Sequence, residues 1–163
     1  MNFKPILLVA GEPNSIFLEI FFKVHKKNKF KSPLILIASK KVLNLQMKKL
    51  NFNKKIRFLN PQKLNSYKLN NKTINLIDIK YNPSKAFEKI SNKSKNYIKD
   101  CFNTAIKIIN SGYTYKLVNG PISKKDFLNK KFPGITEYMA DKFKKKNFAM
   151  LIYNKKLSVS TIT

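Results

Sequence analysis

Pro5-Ile6-Leu7-Leu8-Val9-Ala10-Gly11-Glu12-Pro13 is a continuous apolar run stopped by Gly and Pro. A strand with one wet face would alternate apolar and polar residues. This one does not, so it belongs in a sheet covered on both faces, the parallel sheet of an α/β protein. Asn14 or Ser15 then stands where a helix cap is needed, and Ile16, Phe17, Ile20, Phe21 and Val24 lay an apolar stripe along the helix that follows. Strand, turn and helix in that order form the opening unit of an α/β fold.

Working outward, the cycle repeats. Residues 33–38 are a second buried strand, and Ser39 caps a helix carrying Val42, Leu43, Leu45, Met47 and Leu50. Residues 55–59 read as a short third strand and 60–71 as a polar, exposed connection. Residues 73–79 read as a strand in which Ile74 and Leu76 alternate with Asn75 and Ile77. Pro83 opens the longest helical candidate, which ends at Ser111-Gly112 and shows Ile98, Phe102, Ala105 and Ile109 on one face. Residues 115–119 are a strand, Ser123 and Thr136 stand at the starts of two short helices, and residues 148–153 and 157–163 form a hairpin around Asn154-Lys155. Thr163 falls inside this last strand, so the chain is expected to be truncated.

The 163 residues carry 34 basic and 8 acidic side chains, a formal charge of +26. Such a charge ordinarily raises nucleic acid or an anionic membrane as a partner. Here only Arg57 is Arg; the other 33 cations are Lys, spread along the chain among 20 Asn. Nucleic-acid surfaces favour the guanidinium fork, so the charge reads as a solvated basic surface that can also steer phosphorylated substrates. A lone Cys101 and a lone His25 exclude an internal disulfide and a zinc cluster. No apolar run is long enough for a membrane span, and the start lacks the pattern of a cleavable signal. The chain therefore reads as cytoplasmic, without membrane or nucleic-acid partners.

Three loops sit at the carboxyl ends of predicted strands, where open α/β sheets bind ligands. Residues 11–15 are too poor in glycine to cradle a dinucleotide and read as a turn and cap. In Asn119-Gly120-Pro121-Ile122-Ser123-Lys124 a turn leads into a helix start, with Lys124 available as a cation for an anionic ligand. In Phe132-Pro133-Gly134-Ile135-Thr136-Glu137-Tyr138, Thr136 either caps its helix or offers its hydroxyl to a phosphate. His25 reads as solvated within a Lys-rich stretch, Cys101 as core, and the carboxylates of Glu12, Glu19, Asp126, Glu137 and Asp141 as too scattered for a metal site.

Four segments, in order, resemble one family. Residues 6–13, 117–124, 132–138 and 157–163 are similar to the 4-hydroxythreonine-4-phosphate dehydrogenases of pyridoxal phosphate (vitamin B6) biosynthesis. The resemblance spans the whole chain, which corresponds to the N-terminal half of such an enzyme. It implies an α/β three-layer sandwich of the isocitrate/isopropylmalate dehydrogenase-like kind, here truncated. Residues 1–130 would belong to a first lobe and 131–163 to the start of a second. It further implies NAD- and metal-dependent oxidation of a phosphorylated hydroxy amino acid, 4-phosphohydroxy-threonine, by a homodimer.

In that family a His-Thr pair binds substrate; here it reads Ile135-Thr136, so only Thr136 carries over, and Lys124 joins it near the substrate phosphate. Asn14-Ser15-Ile16-Phe17-Leu18 replaces a glycine-rich first turn. The family's three metal-binding His and most NAD contacts fall beyond Thr163, so this chain alone is expected to be inactive as a dehydrogenase. The alternative is a non-catalytic relative that keeps the fold as an anion-binding or dimerising module.

Overall fold

The computed structural model describes residues 3–27, 30–128 and 131–161, and the opening apolar run is strand β1 (Ile6–Val9). The chain divides into two units, Met1–Ser123 and Lys124–Thr163. The first unit continues through α1 (Phe17–Lys27), β2 (Leu34–Ala38), α2 (Lys40–Lys49), β3 (Ile56–Phe58), β4 (Ile74–Asp78), α3 (Lys95–Asn110) and β5 (Lys116–Asn119). Its five strands form one sheet in the order β3-β4-β2-β1-β5, and every neighbouring pair is parallel.

Register places Ile6 opposite Leu34 and Lys116, so even-numbered side chains of β1 and β2 share a face. On that face Leu8, Ala10, Leu34, Leu36, Ile74 and Leu76 pack with Phe21 and Phe22 of α1 and Leu43 and Met47 of α2. The alternate residues Leu7, Val9, Ile35, Ile37 and Ile77 point to the opposite face and are also buried, where α3 packs on β1 and β2. Helices thus cover both faces, and the expected three-layer α/β architecture is present. The strand at 73–79 does not alternate in exposure: Ile74, Asn75, Leu76 and Ile77 are all buried, because a central parallel strand has no wet face.

Two helices differ from expectation. In α1 the buried residues are Leu18, Phe21, Phe22 and His25, while Ile16, Ile20 and Val24 of the predicted stripe are exposed. The long helix begins at Lys95 rather than Pro83; residues 83–91 are irregular, and a 3-10 turn (Asn92–Ser94) leads into it. Ile106 and Ile108 are buried, and Ile109 only partly. The cap at Ser39 is present, its hydroxyl accepting from Val42 N–H at 3.5 Å, and Ser15 Oγ accepts from Phe17 N–H at 3.3 Å.

The second unit holds a π-helical turn (Lys124–Leu128), α4 (Ile135–Lys142) and an antiparallel hairpin of β6 (Met150–Tyr153) and β7 (Ser158–Thr161). Tyr138 is packed edge-on by Phe127 at 5.2 Å and Phe132 at 5.5 Å. Asn154 N–H donates to Leu157 O at 3.1 Å to close the hairpin. The last two residues of the predicted final strand lie outside the described residues. No helix among the described residues is long and apolar enough to cross a membrane.

Candidate functional site

Two of the three loops are laced together where β1 and β5 end. Gly120 N–H donates to Val9 O at 2.7 Å, and Glu12 N–H donates to Pro121 O at 2.8 Å. The approach is too close for side chains: a Cβ on Gly11 would stand 2.4 Å from Pro121 O, and one on Gly120 would stand 2.2 Å from Ala10 O. Gly11 also has φ +71°, which only glycine adopts without strain. Gln46, fully buried on α2, donates from Nε2 to Pro13 O at 2.7 Å and fixes the far side of the first loop.

A third partner was not legible in the sequence. Residues 81–94, of which the Pro83 signal assigns 83–94 to a helix, instead form a strap bonded to the first loop. Ser94 Oγ donates to Glu12 Oε2 at 2.9 Å, and Glu88 N–H donates to Asn14 Oδ1 at 3.1 Å. Ser39 Oγ donates to Tyr81 O at 3.0 Å. The strap is held in shape by Glu88, whose Oε1 accepts from Ser84 Oγ at 2.5 Å, Ser84 N–H at 2.6 Å and Lys85 N–H at 3.0 Å. Those donors, the Ser84 hydroxyl first, hold the Glu88 carboxyl below its usual range. Phe87 in the same turn takes φ +58°. The only sequence cue is the Ser84…Glu88 spacing, which resembles an ordinary helical pair; Glu12 and Ser94 are 82 residues apart.

The chain leaves β1 and β2 toward one face of the sheet and β4 toward the other, so its winding reverses between β2 and β4, the usual place for a ligand crevice. Here protein groups fill that position. Asp78 Oδ1 accepts from Lys40 N–H at 2.7 Å, so a carboxylate of the chain itself occupies the start of α2. Tyr97 OH accepts from Ser39 N–H at 3.2 Å, and burial beside Cys101 pushes the Tyr97 phenol well above its ordinary value. Cys101 is fully buried, as expected of a core residue, and burial pushes its thiol up as well.

The remaining candidates lie in the second unit. Lys124 is exposed at the start of the π-helical turn. Thr136 does not cap its helix. Gly134 holds the cap position of α4 without a side-chain bond, Thr136 sits inside the first turn, and among the described residues its hydroxyl meets only Met150 Sδ, at 4.0 Å. The Glu137 carboxylate folds back to 2.9 Å from the Cβ that Gly134 lacks. Ile135, partly buried, opens the helix.

His25 contradicts the expectation of a solvated residue. It is 2% exposed, its ring lies 5.1 Å from Phe21, and Nδ1 has no hydrogen-bond partner among the described residues. Burial first, and Lys54 second, push its pKa below 6.5. Among the described residues no three His, Cys, Asp or Glu gather where they could hold a metal ion. These residues therefore do not fit a metal by themselves.

Comparison with known proteins bears on this arrangement. The family model for the pyridoxal phosphate biosynthetic protein PdxA matches residues 29–163, which include the second and third loops. No curated protein matches the chain in sequence. A 4-hydroxythreonine-4-phosphate dehydrogenase from Burkholderia phymatum superposes with a TM-score of 0.79 at 19% identity, over 97% of this chain and 49% of that one. One from Klebsiella pneumoniae gives 0.78 at 21% identity, over 96% and 50%. The chain thus spans about half the length of the solved structures it matches, and shares their fold over that half.

Proposed function

The chain belongs to the PdxA family of pyridoxal phosphate biosynthetic proteins, and on that premise we propose that it serves NAD-dependent oxidation of 4-phosphohydroxy-threonine, supplying groups that bind the substrate phosphate. Thr136 Oγ1 and the Lys124 ammonium are the proposed phosphate ligands. The divalent metal and NAD that such a reaction uses would be held by residues other than those described. Residues 1–130 would serve as a first lobe and 131–163 as the beginning of a second, in a cytoplasmic homodimer.

One observation carries this reading. Among the described residues the first turn of α4 has no side-chain cap, and the Thr136 hydroxyl is engaged only by a thioether at 4.0 Å. A hydroxyl beside uncapped N–H groups suits a phosphate oxygen, which the helix dipole also favours. A second reading, a non-catalytic anion-binding or dimerising relative, rests on Ile135. That side chain has no donor to offer a substrate at the position where the family resemblance places His.

The test is an assay of the gene product as encoded, supplied with NAD, a divalent metal and 4-phosphohydroxy-threonine, reading NADH. Turnover is expected of a product that includes the residues holding metal and NAD, not of residues 1–163 alone. In that product Thr136→Val should lower kcat/KM about 10- to 100-fold, the value of one hydrogen bond to a charged group. No NADH with metal present, together with saturable binding of the phosphorylated substrate, would replace this reading with the second.

A further inference from the structure

At the amino ends of the strands, opposite the two laced loops of the first unit, two adjoining cavities of about 450 and 470 Å³ open on that unit. They share Lys4, Leu64, Asn65 and Tyr113, so they form one groove bounded by the residues before β1, the connection between β3 and β4, and the turn after α3. The combined space is of the size that small-molecule sites have.

The groove is firmly built. Asn71 Oδ1 accepts from Leu34 N–H at 2.8 Å while Nδ2 donates to Ser32 O at 3.0 Å. Asn75 Nδ2 bridges Leu34 O at 2.9 Å and Asn70 O at 2.8 Å. Both Asn side chains are buried and staple the β3–β4 connection to the start of β2. Within the same connection Tyr67 OH accepts from Asn60 N–H at 3.1 Å, and on the other wall the Thr114 hydroxyl donates to Pro5 O at 2.6 Å. A groove fixed before a ligand arrives loses little entropy in binding one.

Its chemistry is one-sided. Phe3, Tyr67 and Tyr113 supply aromatic surface, Lys4 and Lys68 supply positive charge, and none of the chain's eight acidic residues lines either cavity. Lys4 Nζ is already oriented, lying 5.4 Å above the Tyr115 ring and 3.5 Å from Gly112 O. Outside the lining, Lys31 Nζ lies 5.8 Å from the Phe3 ring. Aromatic walls with unopposed ammonium groups recognise a flat ring that carries an anion.

We propose that this groove is a second ligand site, which takes a small phosphorylated aromatic ring with the ring against Tyr67 and Tyr113 and the phosphate at Lys4 and Lys68. It lies at the opposite edge of the sheet from the two laced loops of the first unit and does not depend on the dehydrogenase reading.

The experiment titrates the protein with phenyl phosphate, phenol and inorganic phosphate, following the Tyr67 and Tyr113 ring resonances by nuclear magnetic resonance. Phenyl phosphate should bind saturably, shift both tyrosines, and bind at least about tenfold more tightly than either fragment. The double variant Lys4→Gln/Lys68→Gln should weaken it about tenfold or more, while Lys99→Gln/Lys107→Gln, two exposed cations on α3, should leave it unchanged. Inorganic phosphate binding as tightly as phenyl phosphate would overturn the proposal, since that is the response of a merely basic surface. Equal loss in the two double variants, or loss in Thr136→Val instead, would overturn it too.

Discussion

Three glycine-to-alanine substitutions separate the forces that hold the first two loops together. Gly120→Ala adds a Cβ 2.2 Å from Ala10 O and 2.8 Å from Phe17 Cγ, at a backbone position with no left-handed strain. The obstructing oxygen is main chain, and it cannot retreat without disturbing β1, whose Val9 O accepts from Gly120 N–H. Overpacking of this kind costs about 1–3 kcal/mol, and the weakened hydrogen bond about 1 more. Gly112→Ala is the converse: φ is +76° and nothing lies within 4 Å, so only backbone strain acts. That strain is about 1–2 kcal/mol, offset by a gain of about 0.4–1 from a stiffer unfolded chain. Gly11→Ala combines φ +71° with a contact of 2.4 Å to Pro121 O and should cost the most. For a domain of this size about 3 kcal/mol lowers Tm by about 10 °C. Thermal melts should therefore rank Gly11→Ala below Gly120→Ala, near 10 °C below the parent, with Gly112→Ala within about 4 °C of it. If Gly120→Ala melts as high as Gly112→Ala, the two loops do not approach as described and the reasoning fails.

Two further tests address buried groups. His25 has a folded pKa below its unfolded value of 6.5, so the unfolded chain binds the proton more readily. Its contribution is intact above about pH 6.5 and is lost as pH falls toward the folded pKa, with a slope of at most about 1.4 kcal/mol per pH unit. Urea midpoints should fall in that window for the parent and less for His25→Leu; equal slopes would show that His25 is not held neutral by burial. Cys101, buried with its thiol pushed up, should resist alkylation in the native protein and react on unfolding. Rapid native labelling would contradict its place in the core.

What was legible followed from burial on two faces. Residues 5–10 and 33–38 are apolar without alternation, and only a covered parallel strand suits such runs, so the sheet could be read directly. The face of α1 could not. Ile16, Ile20 and Val24 repeat at four-residue spacing, but so do Leu18, Phe22 and, with a polar ring, the pair Phe21 and His25. Periodicity alone does not say which stripe meets the sheet, and the polar ring of His25 hid the one that does. Pro83 was misleading for a related reason. Proline favours a helix start, but the Glu88 carboxylate gathers three donors from Ser84 and Lys85 into a closed turn instead. The partner of Glu12 could not be found from sequence because Ser94 reaches it only through tertiary folding. The sequence marks Thr136 as the start of a helix, but the cap position belongs to Gly134, two residues earlier.

The balance of donors and acceptors also bears on where a ligand is proposed to sit. In the first unit the places that usually receive an anion are already taken: Asp78 sits on the start of α2, and the loop donors Gly120 N–H and Glu12 N–H are spent on backbone carbonyls. Filling the helix start with Asp78 removes a competing phosphate site at the crevice between β2 and β4, where the winding of the sheet would otherwise invite one. The two proposed ligand sites use groups that the crevice does not: the first turn of α4 with Thr136 in the second unit, and the acid-free groove at the amino ends of the strands in the first. A scaffold that satisfies its own groups at the crevice is rigid there. Substitutions in its laced loops should then appear first as lost stability, and substitutions at Thr136 as lost affinity in a protein that still melts normally.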